Sequence, residues 1–101
     1  MIRVPTHRRP PTPGEVLLEE FLVPMGITQS ALAGALSIPF QRVNQIVKGK
    51  RAITPDTALR LSRYFGTSPG LWLNMQLVLD LYDATHGKAA EEIQRIKPVA
   101  A

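Results

Sequence analysis

The stretch TQSALAGALSIPFQRVNQIVK, Thr28 to Lys48, carries the pattern of two short helices joined by a tight turn. Leu32, Leu36, Val43 and Ile46 are spaced to fill a core shared by both helices, Ile38 to seal the turn, and Ala33 to let the backbones approach. What remains on the second helix is Phe40, Gln41, Arg42, Asn44, Gln45 and Lys48, a largely polar and basic face with no carboxylate. A plain helical hairpin shows the same apolar spacing. The acid-free face favours the other reading, a helix-turn-helix whose second helix reads base edges in a major groove.

The placement of charge extends that reading. The net charge is +4, and residues 38–51 hold Arg42, Lys48, Lys50 and Arg51 without a single acid, whereas basic and acidic residues are equal in number from residue 52 onward. The surplus lies on and just after the candidate recognition helix, where phosphates would run, so Lys48, Lys50 and Arg51 are expected to hold them. A second small cluster, Arg3, Arg8 and Arg9, lies in the N-terminal arm.

At 101 residues the chain is one domain with tails, and 45% hydrophobic with 20% charged residues places it among ordinary globular chains. The absence of cysteine excludes disulfides, thiolate metal sites and a cysteine nucleophile, and fits a reducing cytoplasm. No apolar run approaches the roughly 20 residues a membrane span needs, and MIRVPTHRRPPTPGE lacks an apolar signal core. A cytoplasmic protein with no membrane contact is expected.

Residues 1–13 carry four prolines and no apolar periodicity, and are expected to form an extended arm that orders on a partner or along DNA. Residues 14–87 form the expected DNA-binding domain. Its first helix opens at Pro13-Gly14-Glu15, turns Val16, Leu17, Phe21 and Leu22 inward, and stops at Pro24 and Gly26. Thr28 caps the second helix; the third runs from Pro39 as first helical residue to Lys48, with Gly49 ending it. Thr54-Pro55-Asp56 starts a fourth helix, which is expected to bury Ala58, Leu59, Leu61 and Phe65. Thr54 is assigned to the cap, a use compatible with a phosphate contact. Ser68-Pro69 starts a fifth helix reaching about Thr85, and residues 88–101 hold a short sixth helix, over about 89–97, and a tail. No stretch reads as a strand, so the fold class is an all-α bundle of five or six helices.

The fifth helix is too apolar for one partner. Only Gln76, Asp80 and Asp83 form a polar strip, while Leu71, Met75, Val78 and Tyr82, with Trp72 and Leu79 beside them, face one way and Leu73, Leu77 and Leu81 extend the apolar surface. An ordinary surface helix needs an apolar arc of only about 100°. A helix wrapped by its own subunit, or one seized by another protein, would satisfy this excess. So would a second copy, and Trp72, Leu73, Gln76, Leu77 and Leu81 are the residues expected to meet it. A two-fold pair also suits paired recognition helices about 34 Å apart on a palindromic operator.

The two histidines form no site, since His7 lies in the arm and His86 at a helix end that favours partial positive charge. Glu19-Glu20 and Glu91-Glu92 are adjacent in sequence and so point to different helix faces. No converging acid, base, nucleophile or metal ligands are visible, and neither an enzyme nor a cofactor is expected.

These residues resemble HigA-type antitoxins, a branch of the Cro/C1-repressor (XRE) helix-turn-helix family. The likeness covers Pro13-Gly14-Glu15 with Leu18, the helix-turn-helix, Gly49-Lys50-Arg51-Ala52-Ile53-Thr54-Pro55, Ala58 to Leu61, Phe65 to Pro69, and Trp72-Leu73-Asn74-Met75-Gln76. The resemblance implies a lambda-repressor-like bundle and a dimeric repressor of its own toxin-antitoxin operon. It also implies a partner toxin resembling RelE-fold ribonucleases that cleave messenger RNA. Gln29, with Ser30 beside it, would anchor a phosphate, and Gln41, Asn44 and Gln45 fall where the family reads bases. Ser37 departs from the family's turn glycine, and Phe40 from its usual polar residue; Phe40 either touches a thymine methyl or packs. A free-standing regulator without a toxin would share every DNA-facing residue, and a protein-interaction module that never touches DNA is the third reading.

Overall fold

The computed structural model describes residues 8–100, and within them every regular element is a helix. The arm residues Arg3 and His7 lie outside the described residues. Six helices follow in order: α1 Pro13–Met25, α2 Gln29–Leu36, α3 Phe40–Val47, α4 Pro55–Phe65, α5 Pro69–Thr85 and α6 Ala90–Gln94. Four starts share one chemistry: the hydroxyls of Thr12, Thr28, Thr54 and Ser68 each accept the N–H three residues on.

Expected boundaries move at Pro24 and at Pro39, and α6 ends at Gln94, short of the expected residue 97. Pro24 lies inside the last turn of α1, which ends at Met25 and is closed by left-handed Gly26 (φ 65°). A wider turn, with the Val23 N–H bonded to the Leu18 carbonyl five residues back, precedes Pro24. Proline offers no N–H to the carbonyl four residues earlier and crowds it, so a locally widened helix accommodates it. Pro39 sits one position outside α3, in extended backbone (ψ 145°), with its carbonyl accepting the Arg42 N–H at 3.0 Å.

The α1 and α2 axes differ by 101°, and α2, α3 and α4 pack around the core that α1 and α5 cover. Leu32, Ala33, Leu36, Ile38, Val43 and Ile46 are all buried, as their spacing requires. In α4 the buried stripe is Thr57, Ala58, Leu61 and Ser62, with Phe65 half-buried. Leu59, expected in the core, is 59% exposed. It falls off the i, i+3, i+4 stripe that Ala58, Leu61 and Ser62 define. Trp72 is fully buried against Phe21 and Phe65, with ring centroids 5.1 and 6.3 Å away. Among the described residues no single helix is long and apolar enough to cross a membrane. The described body is 53 Å long and 23 by 22 Å across, and residues 91–100 are all exposed.

The turn between α2 and α3 works without glycine. Ser37 takes the left-handed conformation (φ 56°, ψ 44°), the one non-glycine among the described residues with positive φ. Arg60 Nη1 donates to the Leu36 carbonyl at 2.8 Å and to that of Ser37 at 3.4 Å, closing the turn from α4. Left-handed backbone costs an L-residue about 1–2 kcal/mol, part of which glycine's larger unfolded-state entropy cancels. Ser37→Gly is therefore expected to stabilise the fold by roughly 0.5–1 kcal/mol, read as a higher urea midpoint.

Candidate nucleic-acid interface

Val43 and Ile46 turn inward, which fixes the outer face of α3. Gln41, Gln45 and Lys48 are exposed along one row, and Phe40 (48% exposed) and half-buried Asn44 form the adjacent row. With no carboxylate on α3 or on residues 48–51, the surface combines amides, cations and one aromatic edge.

Several of these side chains are held by neighbours. Asn44 Nδ2 donates to Gln29 Oε1 at 3.0 Å. This joins the recognition helix to the first turn of α2 and leaves the Gln29 NH2 free to donate outward. Ser30 is exposed beside it. The Thr28 cap takes the Ala31 N–H, so the earlier N–H groups form the positive end of α2. Arg42 is drawn sideways: its Nη1 lies 3.8 Å from Asp56, which also binds Arg60 Nε at 2.9 Å. The Arg42 guanidinium therefore does not lie in the row of Gln41 and Gln45.

After α3 the chain turns at Gly49 (φ 74°), with the Gly49 N–H bonded to the Ile46 carbonyl and that of Lys50 to the Gln45 carbonyl. Lys50 and Arg51 are exposed, and Arg51 Nη1 donates to Gln45 Oε1 at 3.2 Å. Thr54 sits at the surface with its hydroxyl committed to capping α4, where it meets the Thr57 N–H and hydroxyl at 3.4 and 3.2 Å.

The α5 residues divide differently from expectation. Trp72 belongs to the core of its own subunit, with no exposed surface and its Nε1 donating to Thr67 Oγ1 at 2.9 Å, so it cannot meet a second copy. Gln76 is half-buried, accepts the Ile53 N–H at 2.9 Å and donates to Asp80 at 2.9 Å, clamping the loop that carries Lys50 and Arg51. Leu73 packs partly against the core, while Leu77 and Leu81 are 42% and 37% exposed. Near the other edge of α5, Leu71, Met75 and Val78 line a surface groove of about 300 Å³ with Pro10 and Pro11.

Arg9, in the arm expected to order on a partner or along DNA, is engaged within the chain. Its Nε and Nη2 bind the two oxygens of Asp83 at 2.9 and 3.0 Å, tying the end of the arm to α5. That bidentate bond holds the Asp83 carboxyl below the usual carboxylate range and raises the Arg9 guanidinium further. His86 Nδ1 lies 2.9 Å from the Tyr82 carbonyl, and its ring stacks on Tyr82 at 4.1 Å, the helix-end arrangement its position suggests. Sequence reasoning missed Gln76, Asp56 and Arg60 as supports of this surface. Gln76 stood in plain view of its polar strip, but no local pattern links it to Ile53, 23 residues earlier.

A helix-turn-helix family model matches residues 18–72. Virulence-associated protein I of Dichelobacter nodosus is 52% identical over 80% of this chain and 75% of its own. Antitoxin HigA-1 of Vibrio cholerae is 40% identical over 93% of this chain and 88% of its own. The structure of Pseudomonas aeruginosa antitoxin HigA with the higBA promoter aligns at 40% identity and a TM-score of 0.84, covering 91% of this chain and all of that one. With the family's helix pair, turn and loop all in place, the chain belongs to the helix-turn-helix family, in its HigA-type antitoxin branch.

Proposed function

We propose that this protein is a cytoplasmic repressor that binds a palindromic operator of its own operon as a two-fold pair and neutralises a small RelE-fold, mRNA-cleaving toxin. The acid-free outer face of α3, flanked by exposed cations, carries the DNA half of this reading. The antitoxin half rests on the likeness to relatives named antitoxins. These relatives are not enzymes, and the surface described above has the makings of a binding site rather than a catalytic one.

In this reading Gln41, Asn44 and Gln45 meet base edges and Phe40 meets a thymine methyl. Arg42 reaches a guanine only by leaving Asp56. Gln29, Ser30, Lys48, Lys50 and Arg51 hold phosphates, and Thr54 adds a backbone contact at most, its hydroxyl being used in the cap. The unit is residues 14–87, and Leu73, Leu77 and Leu81, four residues apart on one side of α5, form the seam with the second copy.

The division of labour is testable. Gln41→Ala is expected to cost about 1–3 kcal/mol and relax preference at one base pair, whereas Lys50→Ala weakens all sequences alike and lowers the salt slope by about 1. Isotherms on the gene's upstream region at several salt concentrations measure both, and identical behaviour of the two variants contradicts the assignment. Co-expression with the adjacent gene, followed by mass measurement of what copurifies, tests the toxin. A free-standing regulator of the same family would bind the upstream region and copurify with nothing.

A further inference from the structure

We propose that Arg51 sets which base Gln45 prefers, besides holding a phosphate; this rests on the groove-reading role proposed for α3. The Gln45 amide is unsymmetrical, with an accepting oxygen at one end and a donating NH2 at the other. A two-point contact with a base needs these in a fixed order along the groove. An exposed glutamine left to itself turns its amide over and offers both orders. Arg51 removes that freedom. Its Nη1 donates to Gln45 Oε1 at 3.2 Å, placing the oxygen toward the loop and Nε2 away from it. A guanidinium has donors and no acceptor, so it cannot support the reverse orientation.

The backbone prepares this pair. Left-handed Gly49 and the 2.8 Å bond from the Lys50 N–H to the Gln45 carbonyl fold the chain back over the last turn of α3. That return sets residue 51 beside residue 45. Two residues on, Ile53 is buried and its N–H is held by Gln76. A loop fixed at both ends has little backbone freedom left to lose when Arg51 pairs. The recognition helix thus carries two oriented amides, Asn44 directed by Gln29 and Gln45 directed by Arg51.

Duplexes selected from a randomised pool by the wild-type protein supply the probe. Every single-base variant of the tightest duplex is then measured against wild type, Gln45→Ala, Arg51→Ala, Arg51→Lys and Lys50→Ala, each checked for an unchanged melting temperature. Gln45→Ala marks the base pair whose discrimination depends on residue 45. Arg51→Ala is expected to weaken every duplex and also to lose roughly fivefold or more in discrimination at that same base pair, the low end of one direct base contact. Arg51→Lys, which keeps the charge and a donor, retains part of that discrimination, and Lys50→Ala leaves it intact. If Arg51→Ala merely scales all duplexes by one factor, as Lys50→Ala does, the proposal is overturned while groove reading by Gln45 stands. If selection yields no preferred sequence, or Gln45→Ala keeps the wild-type profile, the groove-reading role of Gln45 falls and the proposal with it.

Discussion

Gly14→Ala is expected to destabilise the fold by roughly 3 kcal/mol, lowering the melting temperature of a chain this size by on the order of 10 °C or more. The start of α1 runs against the end of α3, and a Cβ at position 14 would overlap the carbonyl group of Ile46. Backbone on both sides leaves no flexible side chain to yield. The obstructing residue also lies in the recognition helix, so relief requires α1 or α3 to move. Either shift disturbs the surface that carries Gln41, Gln45 and Lys48. Circular-dichroism melts measure the first effect, and binding to the upstream region the second. A melting temperature within a degree or two of wild type would refute the close-packing account.

Trp72→Ala is expected to cost about 3–5 kcal/mol, the range for truncating a buried large aromatic. Against a typical total of about 5–15 kcal/mol, that leaves a marginal protein. The indole is fully buried and touches Phe21 and Phe65, so its loss leaves a cavity under α5 and strips Thr67 of its partner. Trp72→Phe separates the two terms: it keeps much of the apolar volume and loses the hydrogen bond, for about 1–3 kcal/mol. Both losses should be independent of protein concentration in denaturant melts, since the residue is interior to one subunit. A loss that vanishes on dilution would instead return Trp72 to an interface.

Helix starts and the core of the helix-turn-helix were legible because their causes are local. A hydroxyl before proline or three residues ahead of a free N–H reads directly, and so does apolar spacing such as that of Leu32, Leu36, Val43 and Ile46. The surface exposure of Phe40, Gln41, Gln45 and Lys48 follows from the same periodicity. What was hidden depends on contacts distant in sequence. Leu59 looks like core until Ala58, Leu61 and Ser62 define the stripe it misses. Trp72 and Leu77 look alike in a helix apolar nearly all round, and only the position of α1 and α4 decides that one is inside and the other outside. Arg9 with Asp83, separated by 74 residues, and Arg60 closing the turn at Leu36 and Ser37 have no local signature at all. The strained Ser37 was recognisable as a missing glycine; its remedy on α4 was not.

The outline of the molecule governs how its copies should be counted. A compact chain of about 100 residues has a radius of gyration near 13 Å, whereas here it is 16.1 Å. An elongated particle meets more friction than a sphere of equal mass, so a lone subunit migrates through a sizing column ahead of globular standards. Elution volume would therefore overstate stoichiometry, and light scattering or sedimentation equilibrium, which weigh rather than measure girth, are the proper scales.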